Sequence, residues 1–144
     1  MYFDDFKKGD EFQLNSIKID RQKMIDFAVD YDPQKIHMDE EYGKASRYGD
    51  IIAPGIMSFM SVWAEFVKSD IIFDQFIAAQ SFQIKWLAPV FSGEILTGKV
   101  KIQNVIPRNP YNGIVEVNLV IYDEKGNMVM DTLTEAILHR RRDK

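Results

Sequence analysis

The sequence contains no cysteine. That excludes a disulfide framework, a thiolate nucleophile and cysteine-ligated zinc, and it fits a reducing compartment, so a cytoplasmic location is expected. Histidine is nearly as scarce. Only His37 and His139 occur, which leaves scattered carboxylates as the other ligands and argues against a metal hydrolase. Neither a metal nor an organic cofactor is expected. No run of about 18 uncharged apolar residues occurs, because the most apolar stretch, 51–67, is interrupted by Glu65 and followed by Lys68; no membrane span is expected. The opening segment MYFDDFKKGDEF lacks the long apolar core of a signal peptide and the arginine content of a transit peptide, and it is read as part of the mature protein. An excess of positive charge is also missing: 18 Lys and Arg against 22 Asp and Glu give a net charge of −4. The one dense basic run, 139–142, falls at a C-terminus expected to fray, and His139 is read as solvated surface. Nucleic acid is not an expected partner.

What is present suits one globular domain over residues 1–144, long enough to bury roughly two thirds of the surface its unfolded form exposes. A first strand is predicted over 11–19 from the loose alternation of Phe12, Leu14, Ile17 and Ile19. Asp20 caps a helix that runs to about Tyr31 on the spacing of Met24, Ala28 and Tyr31, and ends at Asp32-Pro33. Asp39, followed by Glu40 and Glu41, starts a short helix to about Ser46. Pro54 suits the first position of the next helix, where its missing N–H costs nothing. From Gly55 to about Ser69 the apolar residues cover more than one stripe, which predicts a helix buried nearly all round. Strands follow over 76–87, 94–106, 114–122 and 128–138, with DEKGN at 123–127 as a hairpin turn. This order predicts an α+β domain in which a curved antiparallel sheet wraps one long helix.

The chemistry-bearing stretch is 32–55. Asp32 and His37 lie five apart on either side of Pro33, which pushes Asp32 out of helical geometry, so both side chains can leave a loop on the same side. Each residue alone has an ordinary reading: Asp-Pro opens turns, and His37 between Ile36 and Met38 could be a half-buried imidazole. Pro54 and Gly55 likewise serve any helix start. Together they offer an acid, an imidazole and a helix N-terminus that can bind an oxyanion.

The run FAVDYDPQKIHMDEEYGKAS from Phe27, APG at 53–55 and KWLAPVFSGE at 85–94 resemble the MaoC-like dehydratases, which include the (R)-specific enoyl-CoA hydratases. The likeness spans most of the chain. It implies a hot-dog fold, an acyl-CoA thioester as substrate, a homodimer or higher homo-oligomer with the site at the subunit interface, and catalytic roles for Asp32, His37 and the oxyanion-hole Gly55. The sequence departs from the best-studied hydratase motif in carrying Pro33-Gln34 directly after the aspartate. The residues carry the same chemistry without the family name. Hydrating an α,β-unsaturated thioester requires deprotonating a water that attacks C3, protonating C2 and stabilising charge on the thioester oxygen, and Asp32, His37 and Gly55 could supply the three. Pro54, Ile56, Met57 and Trp63 on the central helix are the expected substrate contacts. Phe59, Trp63 and Phe66 form first of all a core stripe, with Trp63 also a candidate wall for an acyl tunnel. Lys85, Lys99, Lys101 and Arg108 are read as solvated strand charges that could meet coenzyme A phosphates. Two alternatives stay open: a hot-dog thioesterase using Glu65, and a non-catalytic acyl-CoA binding module.

Overall fold

The computed structural model of the protein describes residues 1–142, so Asp143 and Lys144 of the expected domain lie outside the described residues. The strand expected over 11–19 is two pieces, β1 (Glu11–Gln13) and β2 (Ile17–Lys18). Both pair with the same later strand, but Gln13 opposes Lys99 while Ile17 opposes Leu96, one residue out of step, so the strand breaks between them. Asp20 caps α1 (Arg21–Tyr31) by accepting from the Lys23 N–H at 2.9 Å. The helix stops at Asp32, whose φ of −152° and ψ of 68° are the non-helical geometry that Pro33 imposes. A single unexpected turn, α2 (Lys35–Met38), follows before α3 (Glu40–Ala45), capped as expected by Asp39.

The central helix, α4, spans Gly55–Lys68, with Pro54 as its N-cap rather than its first helical residue. It is not buried all round. Phe59, Val62 and Phe66 are fully enclosed, whereas Ile56, Met60 and Val67 face outward, since a sheet wrapped round one side of a helix leaves the opposite stripe uncovered. Four long antiparallel strands complete the molecule: β3 (Phe76–Trp86), β4 (Ile95–Pro107), β5 (Asn112–Tyr122) and β6 (Met128–His139). The order across the sheet is β1-β4-β5-β6-β3, with β2 also on β4. Val115, Val117, Leu119 and Ile121 point into the core, as their alternation with polar residues predicts. The architecture is a hot-dog fold of the α+β class, a curved antiparallel sheet around one helix.

The C-terminal arginines are not frayed. Arg140 pairs with Asp4 at 3.1 Å and Arg141 with Asp5 at 2.9 Å, fastening the end of β6 to the N-terminal turn, while His139 is exposed as expected. No helix among the described residues is long and apolar enough to cross a membrane.

Candidate active site

Asp32 sits where α1 ends, and His37 sits on α2 rather than on an open loop. The extra turn brings the imidazole back over the aspartate: His37 Nε2 lies 3.4 Å from Asp32 Oδ2. His37 is only 7% exposed. Its Nδ1 is 2.8 Å from the Ile52 carbonyl. A carbonyl only accepts, so Nδ1 carries a proton and Nε2 is the nitrogen left for chemistry beside Asp32. The other oxygen of Asp32 is occupied, since Gln34 Nε2 donates to Oδ1 at 2.7 Å. The residue by which this chain departs from the best-studied motif thus orients the carboxylate.

The third component comes from the chain segment leading into α4. The Ala53 N–H donates to the Val90 carbonyl at 2.7 Å, and Ile52 bridges Phe91, so the helix start is pinned to the loop that follows β3. No side chain caps α4. The first N–H groups of this 14-residue helix are therefore open at its positive end. Asp32, His37, Gly55 and Ile56 line one cavity of about 500 Å³, together with Tyr48, Ser58 and the residues 86–90 that follow the sheet edge.

A clamp behind this cavity holds its walls in register. Arg21, the first residue of α1, makes a bidentate pair with Asp50 at 2.8 and 3.1 Å and reaches Ser92 at 2.8 Å and Glu40 at 3.0 Å. It ties α1, α3, the segment before α4 and the loop after β3 at one point. Gly43 lets α3 come close enough: a Cβ there would stand 2.5 Å from the Ile51 backbone nitrogen. Hydrogen bonds from Arg21, then from the Ile51 N–H, hold the Asp50 carboxyl below its ordinary value of 3.8. A carboxyl that titrates lower when folded contributes stability above its unfolded value and loses it as pH falls through the folded one. Arg21→Gln is therefore expected to cost of order 1 kcal/mol or less for so exposed a pair, in full at neutral pH, with the difference from the parent closing below pH 3.8. Thermal unfolding of both proteins across that range checks it. A gap that persists at low pH would show that Arg21 acts through something other than Asp50.

Not every expected contact lines the cavity. Pro54 and Met57 are not part of the lining, and Trp63, 8% exposed, is packed among Phe59, Phe66, Phe76 and Phe82 as core. Lys85, Lys99, Lys101 and Arg108 are exposed on strands or turns outside it. Glu65 is also outside, 3.8 Å from Lys68 on its own helix. Sequence reasoning missed Tyr48, Gln34 and Trp86. The segment 85–94 was visible as a motif, but only the fold shows that it forms a wall. Among the described residues no three His, Asp or Glu side chains gather as a metal ion would require.

The chain belongs to the MaoC like domain family, which it matches over residues 5–121. Along its whole length it is similar to the uncharacterized protein YdeM of Bacillus subtilis (strain 168), 27% identical over 141 residues, covering 97% of this chain and 100% of that one. Among solved structures it is similar to the MaoC-like dehydratase of Rhodospirillum rubrum, with a TM-score of 0.90, 23% identity and 99% of each chain covered. It is also similar to the R-hydratase PhaJ1 of Pseudomonas aeruginosa, with a TM-score of 0.81, 18% identity and coverage of 98% of this chain and 86% of that one. At these identities the structural likenesses carry the fold.

Proposed function

We propose that the protein reversibly adds water to a trans-2-enoyl-CoA thioester to give a 3-hydroxyacyl-CoA, without a metal or organic cofactor. The observation that carries this reading is the Asp32–His37 pair, 3.4 Å apart, in one cavity with the open start of α4. Asp32 holds the water and takes its proton as the oxygen bonds to C3. Charge then develops on the thioester oxygen, where the Gly55 N–H at the helix start receives it. Nε2 also starts the cycle with a proton, held against the Asp32 carboxylate; His37, its Nδ1–H fixed on Ile52, delivers that proton to C2, and transfer of the water's proton from Asp32 to Nε2 restores the pair. Water is consumed and nothing else is released. The reverse sequence is dehydration.

The test offers crotonyl-CoA and longer 2-enoyl-CoAs and follows loss of the enoyl thioester absorbance together with release of free thiol. Loss of absorbance without thiol is the expected result. Thiol release from saturated acyl-CoAs would favour a thioesterase, and binding with neither change would favour a non-catalytic module. Activity that disappears on chelation and returns only with a divalent cation would overturn the metal-free mechanism.

Assembly is part of the proposal. β3 is an edge strand with Ile77 and Phe82 exposed, and Met60 and Val67 lie on the uncovered stripe of α4. An unpaired apolar edge is most simply covered by symmetric pairing with a second copy. A homodimer or higher homo-oligomer is therefore expected by light scattering, with coenzyme A contacting both subunits. A fully active monomer at assay concentration would contradict it.

A further inference from the structure

The Gly55 N–H supplies one hydrogen bond, while a thioester oxygen gaining charge can accept two. The structure holds a second donor beside the first. Trp86 ends β3 and lines the cavity, and it is 46% exposed. Its ring lies on the Cα of Gly55: a Cβ at that position would fall 2.5 Å from Trp86 Cε2, 2.6 Å from Nε1 and 2.9 Å from Cζ2. The indole nitrogen is thus on the edge of the ring that meets Gly55. Ordinary covalent geometry places a Cβ about 2.5 Å from its own backbone nitrogen, so Nε1 and the Gly55 nitrogen are separated by no more than about 5 Å. Two donors each about 2.9 Å from a shared oxygen can stand up to about 5.8 Å apart. That separation leaves room for one oxygen between them.

The indole nitrogen of Trp86, on the cavity wall, can only donate. Packing alone does not account for it, because a phenyl ring would cover Gly55 equally well and carry no donor. We infer that Trp86 Nε1–H is a second hydrogen-bond donor to the substrate thioester oxygen, completing with the Gly55 N–H a two-donor oxyanion site. The inference rests on the thioester reading above. Trp86 forms no covalent bond in the reaction and keeps its proton throughout; its contribution is a hydrogen bond that strengthens as the oxygen becomes negative.

Trp86→Phe keeps the ring and removes the donor. It is expected to lower kcat by ~10²-fold, the loss typical of one oxyanion donor, with KM little changed because the bond matters most in the transition state. Unchanged kcat in a folded Trp86→Phe protein would overturn the inference. A second measurement does not depend on turnover. The chain has two tryptophans, Trp63 and Trp86, so an indole N–H spectrum shows two signals, and the Trp86→Phe spectrum tells them apart. Butyryl-CoA, a thioester with no double bond to hydrate, should move the Trp86 indole proton and the Gly55 amide proton downfield together, whereas coenzyme A with a free thiol should move neither. A Gly55 shift with no Trp86 shift would overturn the second donor and leave the thioester site standing. If neither signal responds to butyryl-CoA, the thioester reading falls and this inference with it.

Discussion

Asp32→Asn is expected to lower hydration of crotonyl-CoA by at least ~10²-fold, and His37→Gln by a similar factor, the usual loss on removing a general base or acid. Asparagine keeps the shape of Asp32, so its Oδ1 can still accept from Gln34 Nε2, a contact of 2.7 Å in the parent, while the proton acceptor is gone. Glutamine at 37 cannot place an imidazole Nε2 beside Asp32 and also donate to Ile52 from Nδ1, so it removes the proton delivery and its orientation together. In the proposed mechanism the two groups act on one water and hand protons to each other, so the double variant should be little worse than either single one. Multiplying losses would show that they act independently. Glu65→Gln is the control. Ten residues along a helix, at ~1.5 Å each, put Glu65 about 15 Å from Gly55 along the axis, and its neighbour is Lys68 rather than the cavity. Hydration should be largely unaffected. If Glu65→Gln instead abolished thiol release from saturated acyl-CoAs while Asp32→Asn was harmless, the site would be that of a thioesterase.

The second large effect is expected at Gly55. Alanine is the better helix former by ~1 kcal/mol, and Gly55 is the first residue of α4 with no positive φ to strain it. Local structure would therefore welcome the substitution. The obstacle is Trp86, whose ring occupies the place of the new methyl at 2.5 Å. The ring is partly exposed and can swing away, so Gly55→Ala should fold and unfold at nearly the parental temperature. Its kcat should nevertheless fall by ~10²-fold or more, as when an oxyanion donor is lost, because the displaced indole no longer holds its Nε1–H beside the Gly55 N–H. Unfolding curves and initial rates on one preparation separate the two consequences. A Gly55→Ala protein with parental kcat would sink the oxyanion assignment, and a protein that fails to fold would mean that Trp86 cannot move.

Much of the fold was legible along the chain because its signals are local. The alternation of Val115, Val117, Leu119 and Ile121, the caps Asp20 and Asp39, and the stop at Asp32-Pro33 each rest on a few neighbouring residues, and each appears where expected. The break between β1 and β2 was not legible, since it arises from the register each piece adopts against β4, about 80 residues away in sequence. The outward stripe of α4 escaped for a related reason. The composition of α4 reads as a helix buried nearly all round, and only the one-sided wrap of the sheet leaves Ile56, Met60 and Val67 exposed.

The same division runs through the site. The sequence by itself determined that an acid and an imidazole lie five residues apart across a proline, that a glycine opens a long apolar helix shortly afterwards, and which family pattern these follow. Tertiary structure alone decided that α2 turns His37 back onto Asp32, that the Ile52 carbonyl holds its Nδ1–H, that Arg21 gathers four segments behind the cavity, and that Trp86, rather than Trp63, faces Gly55. The physical reason is range. Helix caps, turns and alternation are set by interactions between residues a few positions apart, whereas a cavity wall is made of segments brought together by burial, and burial depends on every other segment of the sheet and helix at once.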